Sequence, residues 1–307
     1  MPESHDVSAA HAGRYAPSPT GELHRGSLMA ALASFLQARA HGGAWRLRID
    51  DLDTPRVKPG AARQILRTLE LFGLCWDGPV LYQSTRSAAY ADALRRLRSR
   101  GCLFDCGCSR RETRTGPPGL EGPIYPGTCR HGMPVGRQAR SVRIRAPDAV
   151  MTVADRVQGR YRQNLARDIG DFVLRRADGF VAYQLATVVD DAAQGVREVV
   201  RGADLLSSTP RQLLLHQALA QPVPAYAHVP VLMNPAGRKL SKSHGAMALD
   251  LSQRERQLVQ MLELLGQQPE VGLEEASLDR IMAWAIAHLD IAAVPARRTM
   301  AMPSSPA

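Results

Sequence analysis

The stretch at residues 14–28, RYAPSPTGELHRGSL, constrains the fold more than any other part of the chain. Arg14, Tyr15 and Ala16 read as a short strand, which Pro17, Pro19 and Gly21 break into a tight loop. Behind the loop, Leu28, Ala31, Leu32, Phe35 and Leu36 recur at the spacing of one face of an amphipathic helix. A strand, a glycine/proline loop and a helix are how an α/β fold presents backbone N–H groups to a phosphate. His24 and Gly26 fall at the loop-to-helix junction, where a nucleotide would sit. Alone, the H-x-G triplet says little, because a helix N-terminus with a solvated histidine reads the same way.

A second stretch far down the chain changes the odds. Arg238-Lys239-Leu240-Ser241-Lys242-Ser243 holds two lysines in a chain with 39 lysines and arginines, where the only other lysine is Lys58. A merely solvated charge would be arginine here as elsewhere. Two lysines this close ask for a compact ammonium on a flexible stem, which suits a moving phosphate.

His24-Arg25-Gly26-Ser27 and Lys239-Leu240-Ser241-Lys242-Ser243 together resemble the HIGH and KMSKS motifs of class I aminoacyl-tRNA synthetases. RYAPSPTGELHRGSL, LRIDDLDTPR (47–56) and YQLATVVDD (183–191) resemble the glutamyl branch. The resemblance runs from about residue 14 to the helices near 290. It implies an α/β protein with the Rossmann-type nucleotide-binding fold, an inserted zinc-binding subdomain and a short C-terminal helical region. The expected layout is a disordered lead (1–11), the first half of the catalytic domain (12–105), the insertion (106–170), the second half with the lysine loop (171–250), and C-terminal helices with a tail (251–307).

Composition sets outer bounds. Hydrophobic residues make up 45% of the chain, ample for a core. No apolar run approaches the ~20 residues that span a bilayer. The N-terminus lacks the basic-then-apolar pattern of a secretory signal, so a cytoplasmic protein is expected. The net charge of +10 suits a polyanionic partner. Helices are expected at 59–73, 88–100 and 278–289, and around Leu258, Met261, Leu262 and Leu265. The second of these carries Arg95, Arg96, Arg98 and Arg100 outward, either simply solvated or against a phosphate backbone. Strands are expected at 44–49, 141–145, 150–162 and 198–202, with 171–175 returning to the main sheet. Asp190 and Asp191 cap or terminate their element in this reading. Asp51 and Asp53 either cap the next segment or serve the site.

Five cysteines in a cytosolic chain argue against a disulfide framework. Cys106, Cys108 and Cys129 bracket a glycine/proline-rich loop that cannot pack a core of its own. A zinc ion would order it, since thiolates suit Zn²⁺ and a structural site is closed by four ligands. Chemistry alone offers His131 as the fourth ligand. The resemblance implies Tyr125 instead, an uncommon ligand because the metal must lower a phenol pKa of about 10. Cys102 is expected to pack as a small apolar residue.

The activity implied by the resemblance is ATP-dependent conversion of L-glutamate to glutamyl-adenylate, without need of tRNA. Positioning and charge stabilisation carry the rate of such a step. His24 would donate to the phosphates and Gly26 would let the adenine lie against the helix start. Lys242 would close on the leaving pyrophosphate, assisted by Lys239 and Ser241; a donor of this kind is worth ~10²–10³ in rate. Mg²⁺ would arrive with ATP. Arg14, with Ser18 nearby, is the candidate for the glutamate side-chain carboxylate, and Asp50 for its ammonium. Tyr15, Ala16 and Pro17 belong to the same pocket, which Tyr183 and Arg201 close. Asp50 departs from the family pattern R-x-E-D-x-D, being one methylene shorter than the usual glutamate.

Size bears on the acceptor. A compact chain of this length has a radius of gyration of ~19 Å, enough to cover one end of an L-shaped tRNA. The stretch after Ser243 is too short for an anticodon-reading domain. The chain therefore resembles the stand-alone members of the branch, which join glutamate to the queuosine base at the wobble position of tRNA(Asp). A single-stranded loop would enter the active site, and the positive charge would attract its backbone. The competing readings are a shortened glutamyl-tRNA synthetase charging a tRNA 3′ end and a non-catalytic RNA-binding paralogue. The intact His24, Gly26, Lys239 and Lys242 speak against the latter. A monomer is expected.

Overall fold

The structure is a computed structural model that describes residues 8–234 and 249–302. Strand and helix alternate through the first part of the chain: β1 (Ser8–Tyr15), α1 (Arg25–Ala40), β2 (Gly43–Ile49), α2 (Ala61–Leu71), β3 (Leu81–Tyr82) and α3 (Ser87–Ser99). β1, β2 and β3 pair in parallel. β1 begins at Ser8, inside the stretch expected as a disordered lead. It pairs with β2 as far as Ser8–Gly43, across a register shift before Gly13, and the His11 ring stacks on His41 at 5.2 Å.

The insertion is built on β4 (Leu103–Cys106), the short β5 (Pro118–Gly119) and β6 (Gly122–Pro123), and β7 (Ser141–Ile144). The hairpin β8 (Val150–Asp155) and β9 (Gly159–Asn164) follows, then one turn of helix, α4 (Leu165–Asp168), and β10 (Phe172–Arg175). β10 does not return to the main sheet as expected. It pairs antiparallel with β7, which pairs antiparallel with β4. Leu103, Val142, Ile144 and Leu174 are buried there against α3 and the next helix, and this second core holds β10 in place.

The second half supplies α5 (Tyr183–Ala193), β11 (Glu198–Gly202), α6 (Thr209–Leu219), β12 (Ala225–Val229) and β13 (Val231–Met233). β11 and β12 are parallel, and β12 carries β8 on its far side through the Tyr226–Asp155 pair. The Arg197 amide donates to the Ala12 carbonyl (2.8 Å), and Arg14 Nη1 reaches the Val200 carbonyl (3.4 Å). The two contacts advance together along both strands, so β11 lies beside β1 in the same direction. The order β3–β2–β1–β11–β12 therefore reverses its progression at β1, and ligands of open α/β sheets sit outside the carboxyl ends of the strands at such a point.

α7 (Arg254–Leu264), α8 (Leu278–His288) and β14 (Thr299–Ala301) close the chain, β14 pairing in parallel with β13. Leu258, Met261, Leu262 and Leu265 are buried as their spacing requires. So are Leu28, Ala31, Leu32, Phe35 and Leu36 of α1, but Met29, Ser34 and Gln37 are buried too. α1 is not a one-faced helix, because α7 and α8 cover the side that the sheet leaves open. Fully buried Trp45 satisfies its indole N–H with Ser34 Oγ (3.0 Å), which makes a polar residue tolerable there. The α3 arginines lie on an exposed face, as one of the two readings expected, and each has a partner within the chain. Arg95 and Arg98 pair with Asp92 and Asp105, and Arg96 and Arg100 donate to the Leu219 and Ala218 carbonyls at the end of α6. No helix among the described residues is long and apolar enough to cross a membrane.

Candidate active site

A cavity of about 850 Å³ opens outside the carboxyl ends of β1, β2 and β11. Its wall contains Arg14, Tyr15, Ala16, Pro17, Ser18, His24, Gly26, Asp50, Tyr183 and Arg201. These are all the expected nucleotide- and glutamate-site residues that lie among the described residues. Lys239, Ser241 and Lys242 lie outside them.

Local geometry explains the H-x-G pair. His24 is the N-cap of α1, and its Nδ1 accepts the Ser27 backbone N–H at 3.2 Å. That N–H can only donate, so Nδ1 carries the lone pair and the neutral ring holds its proton on Nε2. A Cβ at residue 26 would stand 3.3 Å from both Cε1 and Nδ1 of His24. Gly26 therefore also keeps the imidazole in its seat, a constraint on the neighbour as much as on a ligand. Tyr15 is fixed by its hydroxyl donating to the Ser27 carbonyl (3.3 Å).

The cavity floor is a buried charge cluster. Arg48, fully buried in β2, gives Nε to Asp50 Oδ1 (2.7 Å) and Nη1 to Asp191 Oδ1 (2.5 Å). Arg14 approaches the same Asp191 oxygen at 3.4 Å, and Arg201 completes the set of guanidinium groups. Three guanidinium groups thus meet the carboxylates of Asp50 and Asp191 in a region shielded from water, with buried Asp190 near enough to act on Arg48 as well. Burial works against the Asp191 carboxylate, yet Arg48 and Arg14 hold its pKa below the ordinary value. For Arg48 burial is again the largest influence and again loses, here to Asp50 and Asp191, which hold it charged. Arg14 is lowered, mainly by burial and against Asp191. Asp50 goes the other way: burial raises its pKa in spite of Arg48. A cation arriving from solution would favour its ionised form. The cavity wall as a whole carries Arg14, Arg48, Arg56, Lys58 and Arg201 against Asp50 and Asp204, a surplus of positive charge that suits an incoming carboxylate.

Arg48, Asp190 and Asp191 were not among the expected site residues. The two aspartates do not cap their element. They lie buried inside α5, and Asp190 is a second hub, accepting from Gln83, Arg86 and Tyr90. One signal was available: an arginine between Leu47 and Ile49 in a strand with both faces buried demands a buried acid. Asp51 accepts the Ser84 amide and hydroxyl (2.7 Å each), tying the segment after β2 to the one after β3, and Asp53 pairs with Arg56 (2.6 Å) within its own turn.

The cysteine unit is compact. The Sγ atoms of Cys106, Cys108 and Cys129 all lie within 4.8 Å of one another and are buried. The Tyr125 hydroxyl stands 3.4 Å from Cys106 Sγ and 3.6 Å from Cys108 Sγ, and Cys108 and Cys129 Sγ are 3.7 Å apart. Ligands ~2.3 Å from a tetrahedral ion lie ~3.8 Å from one another, so these donors have metal-site spacing. His131 is exposed and outside the cluster. Cys102 packs at the edge of the second core, as expected.

Residues 12–283 match the family described as tRNA synthetases class I (E and Q), catalytic domain. Over 290 residues the chain is 54% identical to the glutamyl-Q tRNA(Asp) synthetase of Chromobacterium violaceum, an alignment covering 94% of this chain and 97% of the relative. Its identity to the glutamyl-Q tRNA(Asp) synthetase of Thiobacillus denitrificans is 52% over 297 residues, 96% of this chain and 99% of the relative. The crystal structure of a glutamate tRNA ligase from Elizabethkingia meningosepticum in complex with its amino acid superposes with a TM-score of 0.75 at 25% identity, covering 94% of this chain and 66% of the ligase.

Asp191→Ala leaves Arg48 and Arg14 buried without their shared partner. The expected cost is ~3–5 kcal/mol in denaturant unfolding, and a loss under 1 kcal/mol would mean that the cluster is well solvated. Asp191 titrates below its ordinary value of 3.8, so the pairing contributes fully above that pH and is lost as pH falls through the lowered pKa.

Proposed function

The chain belongs to the class I tRNA synthetases of the E and Q family, and from that premise we propose that it activates L-glutamate with ATP and joins it to the queuosine base of tRNA(Asp). The relatives that match it over almost their whole length carry the name glutamyl-Q tRNA(Asp) synthetase, whereas the glutamate tRNA ligase is substantially longer than the region shared with this chain. The observation that carries the amino-acid reading is the surplus of cationic side chains around Asp50 in one cavity with the His24–Gly26 helix start. Such a site takes a zwitterion that bears an extra carboxylate. Glutamine would leave a buried guanidinium poorly paired, a larger penalty than a missing methylene.

In this reading Arg14 and Arg201, with Tyr183, hold the γ-carboxylate, and Asp50 accepts from the ammonium, which in turn favours its ionised form. Tyr15, Ala16, Pro17 and Ser18 shape the wall. The α-carboxylate oxygen forms a bond to the α-phosphorus of ATP, and the bond from that phosphorus to the pyrophosphate oxygen breaks. The His24 Nε2–H donates to the phosphates as negative charge moves onto them. Lys242, with Lys239 and Ser241, neutralises the departing pyrophosphate, and Mg²⁺ enters with ATP. Transfer then releases AMP and esterifies a hydroxyl of the queuosine cyclopentene-diol. A cavity of this size, at the upper end of the usual range for ligand pockets, has room for the amino acid and part of the nucleotide.

Zinc is the metal proposed for Cys106, Cys108, Cys129 and Tyr125, where it would order the loop between them. Two outcomes follow. Pyrophosphate exchange without tRNA is expected with glutamate and to be at least ~10²-fold weaker with glutamine or aspartate; no exchange, or a preference for glutamine, would contradict the reading. Elemental analysis is expected to find one zinc per chain, released to a chelator ~10-fold or more faster from Tyr125→Phe and at the wild-type rate from His131→Ala. The reverse pattern would make His131 the ligand.

A further inference from the structure

His228 lies in β12 behind the cavity and is not part of its wall. We propose that His228, held in one tautomer by Asp155, is a positioning residue that fixes the Arg201 guanidinium and thereby sets the affinity of the pocket for the substrate carboxylate. The inference rests on the reading of the cavity as a glutamate site.

The geometry leaves the ring one tautomer. An arginine Nε can only donate. Arg201 Nε lies 3.0 Å from His228 Nε2, so Nε2 carries the lone pair and the proton sits on Nδ1. Asp155 Oδ2, 2.5 Å from Nδ1, accepts that proton's hydrogen bond. The other carboxylate oxygen is occupied: Asp155 Oδ1 accepts the backbone N–H groups of Val157, Gln158 and His228. Both side chains of the pair are fully shielded from water. Burial, the largest influence, brings the His228 pKa down to about 4 against the pull of Asp155, which keeps the ring neutral.

The consequence reaches the cavity through the planarity of the guanidinium. Arg201 Nη2 donates to Thr209 Oγ1 (2.9 Å) and to the Leu205 carbonyl (3.4 Å). With Nε on His228 and Nη2 on Thr209, the direction of Nη1 is fixed. Nη1 donates one hydrogen to the Tyr183 hydroxyl (3.3 Å) on the cavity wall, and its second hydrogen has no partner among the described residues. It is the donor aimed at a ligand. Asp155 ends β8 in the insertion, so a hairpin of the insertion reaches in to set the amino-acid pocket.

The test uses pyrophosphate exchange by the full chain, with melting curves to verify folding. His228→Asn keeps a donor for Asp155 and loses the acceptor at the Nε2 position. His228→Gln places an amide oxygen near that position. Asp155→Asn donates to Nδ1 and so drives the ring proton to Nε2, against the Arg201 N–H, as in a triad whose acid becomes an amide. Glutamate KM is expected to rise about tenfold or more in His228→Asn and Asp155→Asn, with kcat within about threefold, while His228→Gln stays within about threefold of wild type. Nitrogen-15 spectra of the wild-type ring at neutral pH are expected to show the Nδ1–H tautomer. An Nε2–H or doubly protonated ring, an unchanged KM in His228→Asn, or equal losses in the Asn and Gln variants would overturn the proposal. Absence of glutamate exchange in the wild type would overturn the glutamate reading instead, and the ring spectrum would still decide the tautomer. If a variant fails to fold, the wild-type spectrum carries the test.

Discussion

Asp191 is the point on which the site depends. Its carboxylate joins Arg48 of β2 and Arg14 of β1 from a position in α5, while the Arg14 guanidinium also reaches the carbonyl of Val200 in β11. Three strands and a helix from the two halves of the catalytic domain are thus held at their carboxyl ends by one buried charge cluster. Such an arrangement is a poor source of net stability, since the desolvation of several ions offsets most of their attraction. Its value lies in what it leaves over: a cavity wall with five cationic side chains, Arg14, Arg48, Arg56, Lys58 and Arg201, against the carboxylates of Asp50 and Asp204. An electrically balanced wall would have no preference for an acidic side chain.

The insertion has two ends with different tasks. One is the cysteine unit, where four donor atoms converge at ligand spacing in a segment with little apolar content to hold it. The other is the β8–β9 hairpin, which leaves the insertion sheet and docks on β12 beside the pocket. Glu198 and Arg156 tie the same junction at 2.9 Å. The insertion is therefore continuous with the back of the cavity, through Asp155, His228 and Arg201.

Features governed by neighbours in sequence were legible. The strand–loop–helix at residues 14–28, the helices α2, α3, α7 and α8, and the cysteine unit all follow from local spacing. The His24–Gly26 motif and the glutamyl-like segments also located the cavity wall, because those short stretches carry the chemistry themselves. Pairings across the fold were not legible. Arg48 and Asp191 are 143 positions apart, and Asp155 and His228 are 73 apart, so only the sheet order brings them together. For the same reason β10 was assigned to the wrong sheet, and α1 was given a solvent face that α7 and α8 cover.

The central claim is that this core serves a modified base in place of a tRNA terminus. It is tested most directly by incubating the protein with labelled glutamate, ATP and tRNA(Asp) from cells that make queuosine and from cells that do not, followed by mass spectrometry of the nucleosides. The account predicts glutamate on queuosine in the first tRNA and no label on the second. Equal labelling of both tRNAs, or transfer to the 3′ end of tRNA(Glu), would contradict it.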